Sequence, residues 1–406
     1  MRILRQIRPI LSALRSHKTA VTLLMLEIAL TMAVLGNLVF IVYGTMQRSH
    51  MATGVAESQI GWIQSIGVLG QDNPGTGAEN IAVLRNAPGV LDAAYGSPPF
   101  VGKETNPIFP DAARSRPVAH AYVVQGSQHM STTLGLRIVQ GRDFNDGDLP
   151  DLMDVFMKKT DTPLPALMTQ ALAQRLYPDG KALERILYDG RYAYRVIGII
   201  DHLRSEVTGR ANDDDALLTE YRIGAQDLGG GYLIRSRPGQ LPQALKAAAA
   251  ALQKANPGHV ENKVHTMAEL RENYFKSDLA AGRMLVAIIA ILLVVTALGV
   301  SGLASFWVQQ RRRQIGMRRA LGATRGDILN YFQAENFLIV SGGVLLGVFF
   351  AYALNLFLMH RFELAHLPAH YLLAGALALW LLGQLAVLGP ALRAAAVPPA
   401  VATRSV

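Results

Sequence analysis

The side chains best placed to hold a metal ion are three consecutive acids, Asp213-Asp214-Asp215, and two histidines four residues apart, His366 and His370. Neither set completes a site. The acids lack the alternating spacing of a calcium loop. No glutamate follows the first histidine in the HExxH manner of zinc hydrolases. A solvated acidic loop and two loop histidines are the simpler reading. Gly229-Gly230-Gly231 could cradle an anion on backbone N–H groups, but a flexible joint between subdomains explains it more simply. The chain has no cysteine, which excludes disulfides, thiolate metal sites and a thiol nucleophile. No GxxxxGK(S/T) phosphate loop occurs, since Gly180-Lys181 lacks both the spacing and the hydroxyl. GxSxG is absent too. The pattern describes no enzyme, and no cofactor is expected on the chain itself.

One segment is built for contact rather than catalysis. Residues 309–329 read QQRRRQIGMRRALGATRGDIL. Met317, Ala320 and Leu321 fall on one helical face, at i, i+3 and i+4, with Arg318 and Arg319 on the other. Gly322 is placed to end that helix in a left-handed cap. Thr324 and Asp327 form a T-x-x-D capping box that starts the next helix. A loop without structure has no need of paired stop and start signals. The result is a basic amphipathic knob on a sharp turn, suited to docking into a cleft on a soluble partner.

The elements that carry this knob are apolar. Half of the 406 residues are hydrophobic, the net charge is +9, and the apolar residues gather in tracts. Spans are expected at 20–46, 281–308, 331–359 and 371–390, each long enough for a ~30 Å hydrocarbon core at ~1.5 Å per residue. Helical periodicity continues from Gly282 through Leu321, about 60 Å, so that helix projects beyond the bilayer or breaks near Gly316. Arginine gathers before the first span, after the second and after the fourth. Four spans place all three clusters on one side, the cytoplasm by the positive-inside rule. Residues 47–280 then lie outside, joined by a short outer loop at 360–370, while 309–330 and the tail 391–406 lie inside. Residues 1–19 present Ile3, Leu4, Ile7, Leu11 and Leu14 on one face, as a helix lying on the membrane surface does. Within the spans, Glu27 is an acid in an apolar tract, with snorkelling or pairing as its alternatives, and Asn37 serves as interhelical glue.

The outer region reads as mixed α/β. Ile81–Gly89 and Leu241–Ala255 are expected helices with stop signals, and Ala166–Tyr177 has helical periodicity ending at Pro178-Asp179-Gly180. Tyr122–Val124, Leu136–Val139, Tyr194–Ile200 and Tyr232–Ile234 read as strands. Helix-with-strand patterns at both ends suggest two related halves, 47–125 and 225–280, around an inserted part at 126–224.

The run RRRQIGMRRALGATRGDIL, followed by QAEN with Glu335, resembles the segment after the second span of MacB/FtsX-type ABC permeases. LGLRIVQGRDF (134–144), ALMTQALAQRLYPDG (166–180), YRVIGIIDHLR (194–204) and the tail PALRAAAVPPAVATR (390–404) resemble that family too. The resemblance implies four transmembrane α-helices and a large periplasmic α/β domain of porter-like and inserted parts. It implies a multi-pass inner-membrane protein with both termini cytoplasmic. It also implies a second permease copy or paralogue and a dimer of ABC ATPase subunits, which hold the ATP and magnesium. Only about 19 residues precede the first span, whereas MacB carries a fused ATPase there, so a separate ATPase is expected. The ATPase contact is carried over onto Ile315, Met317, Arg318, Arg319, Ala320, Leu321, Gly322, Thr324, Asp327 and Glu335. Such permeases transmit ATP-driven motion to the periplasm instead of passing substrate between their spans. Export of a drug, peptide or toxin with a periplasmic adaptor and outer-membrane duct, mechanical activation of a periplasmic partner, and lipoprotein release are the readings left open. The bilayer is a partner and nucleic acid is not.

Overall fold

The structure, a computed structural model, describes residues 18–65, 76–101, 105–157, 162–204, 214–223, 230–256, 262–362 and 367–398. The expected N-terminal surface helix, Asp213, Gly229 and His366 lie outside these residues. The chain divides into two units, Met1–Arg48 with Asp278–Val406, and Ser49–Ser277.

Among the described residues, four helices are long and apolar enough to cross a membrane. They are α1 (Lys18–His50), α7 (Met267–Gln310), α9 (Arg325–Phe362) and α10 (Ala369–Ala395). In the first unit Leu24, Ile28 and Met32 of α1 pack with Val300 and Ala304 of α7, Val340 and Val344 of α9, and Leu372 and Leu379 of α10. Close approach needs small residues. A Cβ on Gly343 would stand 2.7 Å from Ile28 Cβ, so α9 lies backbone-close to α1 there. Hydrogen bonds join the same helices. Asn37 Nδ2 donates to Ala33 O at 2.9 Å and across to Ala351 O on α9 at 3.3 Å. The hydroxyls of Thr31 and Thr296 meet at 2.9 Å. The Glu27 carboxylate lies over Gly299 of α7, where a Cβ would come within 2.6 Å of Oε2.

The second unit holds two sheets. The first is built from two β–α–β pieces far apart in sequence. These are β1 (Ile60–Ser65), α2 (Thr76–Arg85) and β2 (Val90–Tyr95), then β10 (Gly230–Ser236), α6 (Leu241–Ala255) and β11 (Asn262–Thr266). The strands interleave in the order β11-β1-β10-β2, antiparallel throughout. This is the split β–α–β arrangement of ferredoxin-like folds. Ile81 and Leu84 of α2 and Leu241, Leu245 and Leu252 of α6 cover one face, against Ile63, Ala93, Tyr232 and Ile234. Gly230-Gly231 is strand, not a joint. Gly231 lies against the Trp62 indole, which leaves no room for a Cβ, and Trp62 Nε1 donates to Gly96 O at 3.1 Å.

The second sheet has seven strands and sits between β2 and β10 in sequence. They are β3 (Asn106–Ile108), β4 (Ala119–Ser127), β5 (Ile138–Gly141), β6 (Leu164–Thr169), β7 (Ile186–Tyr188), β8 (Ala193–Ile200) and β9 (Ala216–Tyr221). The order is β3-β4-β9-β6-β8-β5, with β7 beside β8. Short helices α3 (Met130–Leu134), α4 (Leu152–Phe156) and α5 (Gln170–Leu176) join them. Two sequence readings are corrected here. β3 and β4 belong to this sheet, so the inserted part begins by residue 106 and not at 126. Ala166–Thr169 is strand, with helix only from Gln170. All six residues of β6 are buried, and a strand covered on both faces shows no alternation to separate it from helix.

Glu220 of β9 stitches the sheets together. It is 2% exposed. Its carboxylate accepts from His129 N at 2.9 Å and Ser131 N at 2.8 Å, at the start of α3. That helix in turn meets the first sheet. Thr132 Oγ1 donates to Asp92 Oδ2 at 3.0 Å, and Arg235 Nη1 donates to Thr132 O at 2.7 Å. Burial pushes the Glu220 carboxyl up to about 7, against the backbone N–H groups that favour its charged form. Its ordinary value is 4.5. Between these values the folded state binds more protons than the unfolded, so its contribution to stability falls as pH rises. Hydrogen-exchange protection of β9, corrected for intrinsic exchange, is therefore expected to fall by on the order of 2–3 kcal/mol between about pH 5 and 8. Glu220→Gln should flatten this slope. Protection that rises with pH would contradict the assignment.

Candidate coupling site

The knob is held at its root by charge. α7 ends at Gln310 and α8 (Arg312–Ala320) follows after a break at Arg311. The break is not at Gly316, which is buried within α8. It falls at Arg311, whose largely buried side chain places one guanidinium nitrogen 2.9 Å from both oxygens of Glu335 on α9. The two side chains are 11% and 2% exposed. A buried carboxylate is tolerated where a cation and hydrogen bonds compensate it.

Apolar packing completes the root. Ile315 joins Val308, Ile328, Phe332, Ala391, Ala394 and Val397 in one cluster. Ile315 is thus an internal residue and not a surface contact. Two arginines carried over as ATPase contacts are also engaged within the chain. Arg319 Nη1 donates to Ala395 O at 3.1 Å and Val397 O at 2.7 Å, at the C-terminal end of α10, where the helix dipole favours a cation. The Arg318 guanidinium carbon stands 4.9 Å from the Tyr331 ring centre.

The turn follows from local chemistry. Gly322 has φ +100°. Its N–H donates to Arg319 O at 3.1 Å and Ala323 N donates to Arg318 O at 3.0 Å, the two bonds of a Schellman cap. Thr324 N donates to Asp327 Oδ2 at 3.0 Å and Asp327 N donates to Thr324 Oγ1 at 3.1 Å, a reciprocal box that opens α9. With Ile315 facing inward, Met317, Ala320 and Leu321 face outward. Met317 is 56% exposed and Leu321 88%. The site is thus an exposed apolar tip on a basic base that buried contacts anchor. Sequence reasoning missed Arg311 and Tyr331, whose roles depend on residues brought together by folding.

The other candidates are engaged elsewhere. Asp215 pairs with Arg175 and Asp214 with His202. Burial lifts the Asp215 carboxyl to about 6 although Arg175 opposes it. The His370 ring centre stands 4.2 Å from that of Tyr371, the two rings tilted at 37°.

Four spanning helices, a large α/β unit and a basic knob define a membrane permease with an extramembrane domain. Residues 22–252 match the MacB-like periplasmic core domain family, and 286–399 match the FtsX-like permease C-terminal family. The chain belongs to the MacB/FtsX-type ABC transporter permeases, and is an inner-membrane protein with a periplasmic domain. It is 25% identical over 226 residues to the macrolide export ATP-binding/permease protein MacB of Chromobacterium violaceum, covering 54% of this chain and 33% of that protein. It is 27% identical over 188 residues to the MacB of Marinobacter nauticus, covering 45% and 29%. The chain thus spans about a third of the length of these curated relatives. The periplasmic region of MacB from Actinobacillus actinomycetemcomitans aligns at TM-score 0.36 and 10% identity, over 54% of this chain and 94% of that one.

Removing the acid at the root leaves Arg311 buried without its countercharge, a loss of ~3–5 kcal/mol for such pairs. Glu335→Ala is expected to raise exchange of the α8 amides by about 100-fold or more, with β9 protection unchanged. Unaltered α8 exchange would contradict the role given to the pair.

Proposed function

We propose that this chain is the permease subunit that carries motion from separate ATPase subunits in the cytoplasm to its own periplasmic domain, and that this motion extrudes a periplasmic substrate such as a drug, peptide or toxin. The observation that carries the reading is the coupling knob. Its root is locked by Arg311–Glu335 and Arg319, while Met317 and Leu321 present apolar surface outward. A helix tip of this kind fits a groove on a partner. The long helix above it supports transmission. α7 runs 44 residues without interruption, about 66 Å and twice the hydrocarbon thickness. Arginine on the knob and at both ends of the chain supports a cytoplasmic placement for all three. The ATPases hold ATP and magnesium, and a second permease copy completes the assembly. The macrolide-export relatives and the size of the periplasmic domain support extrusion, through an adaptor and an outer-membrane duct.

Burying Met317 and Leu321 in the ATPase groove contributes about 1.5–3 kcal/mol each. An aspartate there forfeits that burial and adds the desolvation of a charge. Leu321→Asp and Met317→Asp should leave the chain inserted and its periplasmic sheets protected, while co-purification of the ATPase falls by about tenfold or more. Full assembly and ATPase activity in both variants would overturn the assignment.

Topology is tested separately in this cysteine-free chain. Gln243 and Gly326 are both exposed. A cysteine at Gln243 should label with an impermeant thiol reagent from the periplasm, and one at Gly326 only after the inner membrane is opened. The opposite pattern would invert the proposed orientation.

A further inference from the structure

Where the chain leaves α1 and where α7 begins, one guanidinium gathers three separate segments of the periplasmic unit. Arg271 lies just over one turn into α7. Its Nη1 donates to Ser49 O and to Met51 O, both at 2.9 Å, at the end of α1. Its Nη2 pairs with Glu57, in the turn that leads into β1. Its guanidinium carbon stands 4.8 Å from the ring centre of Phe100, in the segment that leads from β2 into the inserted sheet. Phe100 packs on Tyr274 and Phe275 of α7, with ring centres at 5.7 and 6.1 Å. The Arg271 side chain is only 18% exposed, so these contacts are not screened surface pairs.

The backbone supports this arrangement. Phe100 has φ +76°, an uncommon conformation for a bulky residue, which persists where surrounding contacts hold it. Two carbonyls, a carboxylate and an aromatic face around one side chain also suit arginine and no other cation. A lysine ammonium offers a point charge and no planar face to stack.

We propose that Arg271 is a positioning residue, a clamp that fastens the exit of α1, the entry to β1 and the lead into the inserted sheet onto α7, so that displacement of α7 moves both periplasmic sheets as one body. The clamp rests on the transmission reading above. Apart from the clamp and the packing of Phe100 on Tyr274 and Phe275 beside it, α7 is joined through the chain to β11, an edge strand whose partner in the sheet is β1.

The test uses the full chain with its ATPase partner in nanodiscs. Hydrogen exchange is followed in β1 and in β4 of the inserted sheet, without nucleotide and with ATP and vanadate. The wild type should show a nucleotide-dependent change in both strands. Arg271→Gln should keep ATPase activity and the nucleotide-free protection of both sheets, but lose the change in β4 by about fivefold or more. Arg271→Lys and Phe100→Leu, which keep the cation or the apolar filling, should lose part of it. A wild-type-sized response of β4 in Arg271→Gln would overturn the clamp while leaving transmission intact. A wild type without any response would overturn transmission itself, and the clamp with it. If Arg271→Gln loses protection before nucleotide is added, the milder pair decides: an undiminished β4 response in both overturns the clamp, and a reduced one in both supports it.

Discussion

A carboxylate sealed from water anchors the turn between α7 and α9. Glu335 is buried on α9, and Arg311 meets both of its oxygens there, which offsets the cost of the buried charge. The long α7 ends just before Arg311, and the ion pair anchors the start of α8. With α8 fixed, Ile315 turns into the cluster formed by α9 and α10. The residues left facing outward are then determined by helical geometry, and they include a leucine 88% exposed. An isolated apolar side chain on a surface means little. The place of Leu321 at the tip of a capped and charge-anchored helix, with Met317 beside it, is what supports the proposed ATPase contact. Rigidity matters as much as exposure, because a knob that rotated freely on its root would absorb a push instead of passing it on.

The periplasmic unit follows the same economy. Two β–α–β pieces interleave into one antiparallel sheet, so neither piece can form its hydrogen bonds without the other. A seven-stranded sheet is inserted between β2 and β10, and short polar stitches hold it to the first sheet. Tyr95 N donates to Ser127 Oγ at 2.9 Å, Gly96 bridges to Gly126, and α3 ties Glu220 to Asp92 and Arg235. Leu152, Tyr221 and Ile223 of the inserted part also enter the apolar cluster of the first sheet.

What the sequence disclosed was local. Apolar tracts of bilayer length, the glycine that ends α8, the Thr324–Asp327 box and the stop signal after α6 are each written within a few consecutive turns. What it concealed required distant partners. Arg311 reads as one of three identical arginines, and only folding shows that it alone among them faces Glu335. Ile315 and Leu321 are both apolar and close in sequence, yet one is internal and the other is exposed, because α9 and α10 choose the buried face. The glycine pair 230–231 has the composition of a joint, and it is strand because Trp62 fills the space beside it. The start of the inserted sheet escaped for a similar reason. β3 has three residues, too few to show any period.

The central claim is that the tip of α8 is the surface through which an ATPase drives this chain. It is tested most directly by proximity in the native membrane. A single cysteine in place of Leu321, joined by a short thiol-to-amine cross-linker, should capture the ATPase subunit, and a control cysteine at Gly326 should capture much less. Capture that weakens or shifts when ATP and vanadate trap the closed ATPase pair would add motion to contact. If the cysteine at position 321 instead captured no ATPase while the complex remained assembled, the knob would be an ordinary anchor of positive charge, and the route of force would have to lie elsewhere.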